Sequence, residues 1–93
     1  MESPRQFISG LSLVVRDYDE AKAWYRDVLG FTVVEDTDLG DGKRWVVVAP
    51  PGSGETRLVL ARAATPEQEA AIGKQAGGRV FLFLANRRFL ARL

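Results

Sequence analysis

The stretch "LSLVVRDYDEAKAWYRDVLGFTVVED", residues 11–36, changes its hydrophobic period twice, and those changes decide the fold. It continues an alternation that begins at Phe7. Phe7, Leu11, Leu13 and Val15 fall on one face of an extended chain and Gly10, Ser12 and Val14 on the other, which predicts a half-buried strand over residues 7–15. At Asp17 the period lengthens. Asp17 and Glu20 have capping-box spacing, and Ala21, Trp24, Tyr25 and Val28 recur at i, i+3, i+4 and i+7, so an amphipathic helix is expected over 18–29, packed through that stripe. Gly30 stands where a helix ends on a left-handed residue, and "FTVVEDT", 31–37, returns to a strand.

Outward from this core the punctuation is regular. "LGDGK", 39–43, reads as a turn centred on Asp41 and Gly42, "RWVVVAP" as the strand paired through it, and Pro50 to Gly54 as a second turn. "TRLVLAR", 56–62, is a fourth strand, which completes a β-α-β-β-β order over 7–62. Thr65, Pro66 and Gln68 are an N-cap, a first helical position and a capping partner, so the connecting segment 63–78 should hold a short helix. Gly77 and Gly78 end it, and "RVFLFL", 79–84, reads as an extra strand. The fold class expected is α+β: a βαβββ module plus one extra strand, a single domain over 1–93.

Composition narrows the chemistry. With 93 residues, 46% hydrophobic and 27% charged, there is material for one small core. A domain of this size buries only about 60 to 65% of its unfolded surface, so a partner would stabilise it readily. Thirteen basic residues balance twelve acidic ones, so no net field recruits nucleic acid or an anionic membrane, and the terminal arginines lack interleaved aromatics. There is no cysteine and no histidine. Thiolate and imidazole metal sites, cysteine nucleophiles and a Ser-His-Asp triad are thereby excluded for a single chain. Asp36, Asp38 and Asp41 miss the spacing of a calcium loop, with Val47 where its closing Glu would stand. "MESPRQ" lacks a secretory pattern and no apolar run approaches the ~18 residues of a membrane span, so a cytoplasmic location is expected.

The series Arg16-Asp17, helix, Trp24-Tyr25 and Val28-Leu29-Gly30-Phe31, with "GKRWVVVAPPGSGETRLVLAR" at 42–62, resembles the first module of the vicinal oxygen chelate superfamily. That superfamily includes glyoxalases, extradiol dioxygenases and bleomycin-resistance proteins, and the likeness covers about residues 7–84. The resemblance implies two βαβββ modules, in one chain or two, whose sheets curl into a cup for small molecules. Metal-using members draw one ligand from the first strand, usually His, and one from the fourth, usually Glu. Those positions match Gly10 and Val59, whose side chains cannot coordinate a divalent ion. No metal ligand, no catalytic residue and no cofactor is therefore expected.

By the same register Ile8, Ser12, Val14, Arg57, Val59 and Ala61 share the cup face, a mainly apolar surface with one hydroxyl and one guanidinium. Arg57 either holds an anionic or carbonyl oxygen or is a solvated strand-end charge. Trp45 faces the helix or the cup, with nothing in the pattern to choose, and stands among the candidate ligand residues. The reading is metal-free small-molecule binding through a cup formed by a symmetric homodimer. The alternatives are a metal-dependent lyase, isomerase or dioxygenase of the same superfamily, or a non-functional truncated fragment.

The closing residues "ANRRFLARL", 85–93, bear on that last alternative. As written they have a helical stripe of Phe89, Leu90 and Leu93. One permitted set of codons, shifted by one nucleotide, reads Pro-Thr-Asp-Asp-Phe-Trp-Arg-Asp-Tyr, a capped aromatic helix start much like Asp17 to Tyr25. The expectation is a terminal stub left by truncation or by a frameshift.

Overall fold

Val46, Val48 and Leu60 are the most deeply buried large side chains, and the fold is the arrangement that covers them. A computed structural model describes residues 5–52 and 54–85, and the backbone of 90–92. The elements are β1 (Gly10–Val15), α1 (Tyr18–Asp27), β2 (Thr32–Gly40), β3 (Lys43–Ala49), β4 (Arg57–Arg62), α2 (Pro66–Ala71), β5 (Phe83–Ala85) and β6 (Leu90–Arg92). The first four strands form one sheet in the order β1-β4-β3-β2. β1 runs parallel to β4, and the other pairs are antiparallel. The parallel pair needs a crossover, and α1 is part of it.

α1 lies across one face of that sheet, where Val15, Val46, Val48, Leu58 and Leu60 pack with Tyr18, Tyr25 and Phe31. The expected cap is present: Asp17 Oδ1 accepts the Glu20 N–H at 2.8 Å. The helix ends earlier than the expected 29, at Asp27, with the Val28 N–H on the Trp24 carbonyl at 2.9 Å. Gly30, at φ +72°, then turns the chain so that the Phe31 N–H reaches the Tyr25 carbonyl at 3.0 Å. That left-handed turn swings Phe31 under the sheet, where it is 3% exposed.

The buried stripe of α1 differs from the expected one. It is Tyr18, Ala21 and Tyr25, followed by Leu29, while Trp24 and Val28 are 43% and 62% exposed. The cause is geometric. Successive helical residues are about 100° apart, so with Tyr25 centred on the core Trp24 stands at the stripe's margin, and the early helix end releases Val28.

The β2-β3 hairpin turns on Asp41 and Gly42, with φ of 55° and 78°, the signs a two-residue I′ turn requires. An ion-pair network fastens this hairpin to α1. Asp36 accepts from Lys22 Nζ at 2.7 Å and from Arg44 Nη2 at 2.6 Å, and Arg44 Nη2 also reaches Asp19 at 2.9 Å. Those two donors hold the Asp36 carboxyl at a pKa of about 2. Beneath them the Tyr18 hydroxyl accepts the Arg44 backbone N–H at 3.2 Å. Asp36 and Asp38, two carboxylates of the rejected calcium pattern, are thus occupied, Asp38 by the Gly40 N–H at 2.8 Å.

The strand expected at 7–15 begins at Gly10, and Phe7 and Ile8 lie exposed before it. The short helix is α2, capped by Thr65 Oγ1 on the Gln68 N–H at 3.1 Å. The extra strand expected at 79–84 is the three-residue β5, which pairs with β6 and not with the main sheet. The free edge of β1 is where a fifth strand could have joined. There Gln75 bonds two backbone groups instead, its Oε1 accepting from Val14 N–H at 2.9 Å and its Nε2 donating to Ser12 C=O at 2.7 Å. Within residues 85–93, Ala85 ends β5 and the backbone of Leu90–Arg92 is β6. Positions 86–89 and 93, with Phe89 and Leu93 of the expected helical stripe, lie outside the described residues.

Candidate functional site

Strand pairing places the candidate residues on the sheet face away from α1. β1 and β4 are in parallel register, with Gly10 beside Arg57, Ser12 beside Val59 and Val14 beside Ala61. Val59 lies opposite Val47 of β3, and Trp45 shares the Val47 side two residues earlier. Since Val46 and Val48 pack under α1, Trp45 projects to the other face, and the alternative left open by the sequence closes. Ser12, Val14, Trp45, Arg57, Val59 and Ala61 therefore share one surface. Val14, Arg57, Val59 and Ala61 on it are half-buried, and Ser12 and Trp45 are exposed. Ile8 lies before β1 at the same end as Arg57, its carbonyl accepting the Thr56 hydroxyl at 2.6 Å.

β2 adds two residues that sequence reasoning missed, Glu35 opposite Val47 and Thr37 opposite Trp45. A register shift between Val33 and Glu35 is responsible. Simple alternation would group Glu35 with the core residue Val33. One bulged residue moves Glu35 to the open face and Asp36 to the α1 face, where it meets Lys22 and Arg44. Two consecutive valines followed by two acids, "VVED", are the only trace of this in the sequence.

The metal positions that the family resemblance implies do not suit an ion here. Gly10 offers no side chain, and a Cβ built on it would stand 3.4 Å from the Arg57 carbonyl and 3.8 Å from Val59 Cγ2. Val59 offers only carbon. Among the described residues no group of three or more Asp, Glu, His or Cys is placed to hold a metal.

A second concavity lies on the opposite side of the sheet. A groove of about 740 Å³ opens between the outer face of α1, the end of β1 and the segment 72–81, with Leu13, Trp24, Val28, Ile72 and Phe81 among its walls. Trp24 stands edge-on to Tyr25, centroids 5.0 Å apart at 84°. Burial pushes the Tyr25 phenol above its usual pKa, so it is neutral at physiological pH. Glu20 and Asp27 on α1, with Lys74 and Arg79 across from them, give the rim both signs of charge. No sequence pattern marked this groove, because it depends on how 72–81 returns past α1. Arg57 also borders a smaller recess of about 200 Å³ beside Leu82 and Phe83.

The family model described as "Glyoxalase/Bleomycin resistance protein/Dioxygenase superfamily" matches residues 8–89. A protein of Shewanella frigidimarina (strain NCIMB 400) is 57% identical over 86 residues, which cover 91% of this chain and 64% of that protein. The protein YetH of Bacillus subtilis (strain 168) is 36% identical over 53 residues, 57% of this chain and 43% of YetH. The chain thus spans less than two thirds of the length of these relatives. Among solved structures, UcmS2 aligns with a TM-score of 0.60 at 38% identity, over 69% of this chain and 47% of UcmS2. TnmS3, an antibiotic binding protein from Streptomyces sp. CB03234, aligns with a TM-score of 0.59 at 31% identity, over 72% of this chain and 53% of TnmS3.

Proposed function

The chain belongs to the glyoxalase/bleomycin resistance protein/dioxygenase superfamily, and from that premise we propose that it is a cytoplasmic, metal-free small-molecule-binding protein whose cup is completed by a second copy. The observation that carries this reading is the sheet face away from α1. Trp45, Val14, Val59 and Ala61 give it apolar area, while Gly10 and Val59 leave the family's metal positions without a donor. A surface of this kind suits an apolar or aromatic ligand, with Arg57 available for an anionic or carbonyl oxygen. The antibiotic-binding neighbour TnmS3 supports the same class of function. A lyase, isomerase or dioxygenase mechanism through a bound metal has no ligand set to start from among the described residues.

The groove beside Trp24 supports a second reading, in which the ligand sits against α1, because its volume of about 740 Å³ suits a drug-sized molecule. The chain has two tryptophans, one for each site, Trp45 on the sheet face and Trp24 on the groove. Single-tryptophan variants W24F and W45F, titrated with the aromatic anion anilinonaphthalene sulfonate, separate the readings. Quenching of Trp45 in W24F, with Trp24 in W45F unmoved, is expected. Arg57→Ala should then weaken the probe by more than about 1 kcal/mol, the loss expected for a hydrogen bond to a charged group. Quenching of Trp24 alone would move the site to the groove, and a probe that binds neither variant would overturn small-molecule binding of this class.

A further inference from the structure

We propose that the side chain of Gln75 is a removable guard on the outer edge of β1, released when a second copy of this chain adds its own strand there. The inference rests on the reading that two copies complete the cup. Among the described residues β1 has a strand partner on one side only, β4, and the carbonyls of Ser9 and Val15 point that way, accepting from Arg57 and Ala63 at 3.1 and 2.9 Å. The backbone groups of Ser12 and Val14 therefore point outward. Gln75 meets both, donating to Ser12 C=O at 2.7 Å and accepting from Val14 N–H at 2.9 Å.

That pair of bonds is the one a residue opposite Leu13 would make in a parallel strand, its N–H on the preceding carbonyl and its C=O on the following N–H. A primary amide has the same donor and acceptor as a peptide group, so one side chain substitutes for one residue of a strand. Exposed edges invite pairing with another chain, and this one is closed by a group that carries no backbone of its own to extend the ladder. Any added strand, parallel or antiparallel, needs the Ser12 carbonyl and the Val14 N–H, and so must expel Gln75. In a two-fold dimer made by β1 against its copy, both guards leave together.

The test uses the full chain and its variants Gln75→Ala and Gln75→Glu. Glutamate keeps an acceptor for Val14 but sets a second oxygen against the Ser12 carbonyl. Solution mass by light scattering across a concentration series gives the dimer dissociation constant, and amide hydrogen exchange reads Val14 directly. With one guard on each chain, and about three- to tenfold for each hydrogen bond lost, Gln75→Glu should tighten the dimer by about 10- to 100-fold and Gln75→Ala by about 100- to 10,000-fold. At concentrations where each is monomeric, the Val14 amide should exchange at least tenfold faster in Gln75→Ala than in the parent. Mass curves that superimpose on the parent's, including chains that all remain monomeric, overturn the guard, as does unchanged Val14 exchange. A tighter dimer that ignores anilinonaphthalene sulfonate keeps the guard and removes the cup. A dimer that binds the probe and is indifferent to Gln75 does the reverse.

Discussion

Replacing Tyr18 by Phe and, separately, by Ala divides the two roles of one side chain. Tyr18 is 8% exposed in the first turn of α1 and packs in the core with Leu58 and Leu60. Its hydroxyl accepts the backbone N–H of Arg44 at 3.2 Å, and the guanidiniums of Arg44 and Arg62 stand 5.2 and 5.6 Å from its ring centroid. Tyr18→Phe keeps the ring and strands one part-buried N–H, a cost of about 1 kcal/mol. Tyr18→Ala adds the loss of a buried aromatic, roughly 3 to 5 kcal/mol, and removes the face beneath both cations. For a domain of this size the first change should lower Tm by about 4 to 8 °C. The second should consume much of a total stability of about 5 to 10 kcal/mol. Urea unfolding followed by circular dichroism measures both, with an unchanged m-value as the control for two-state behaviour. Because the hydrogen bond uses the backbone of Arg44, the Tyr18→Phe cost should persist in an R44A background. A Phe variant as stable as the parent, or as damaged as the Ala variant, would refute this division.

The Asp36 carboxyl is held at about 2 by its bonds to Arg44 and Lys22. A depressed pKa contributes stability that is fully present above the unfolded value of about 3.9 and is lost as pH falls towards 2. Asp36→Asn should thus cost about 1 kcal/mol at neutral pH, less in high salt, and flatten the acid side of the stability curve between pH 4 and 2, as read by urea melts at each pH. Asp19 is lowered by the same arginine, so the slope should shrink without vanishing. Gly42→Ala places a side chain at φ +78° with its Cβ 3.2 Å from Arg62 Nη2. The guanidinium can shift but the backbone strain stays, so a loss of about 1 kcal/mol in thermal unfolding is expected. Zinc, nickel and manganese should leave Tm unchanged, since Gly10 and Val59 supply no donor, and a saturable rise of several degrees would contradict that.

Much of the architecture is legible in the sequence by itself, because its signals are local. Asp17 and Thr65 cap helices through their own side chains, Gly30 and the Asp41-Gly42 pair take positive φ, and alternation in β3 separates the buried Val46 and Val48 from Trp45. The family resemblance, carried by residues 16–31, agrees with the matched family model. The absence of any histidine also removes imidazole chemistry from this chain by composition alone. What only the tertiary structure decided are relations between distant segments. A single bulged residue in β2 sends Asp36 under α1 and Glu35 to the open face, a choice that alternation cannot make. Trp24, expected in the core, faces a groove whose other wall is residues 72–81. β5 stays out of the main sheet, and the edge it could have joined is occupied by Gln75, sixty-one positions from the N–H it binds. Periodicity reports how one element divides its own faces, but which edge is covered, and by what, is a property of the assembled chain.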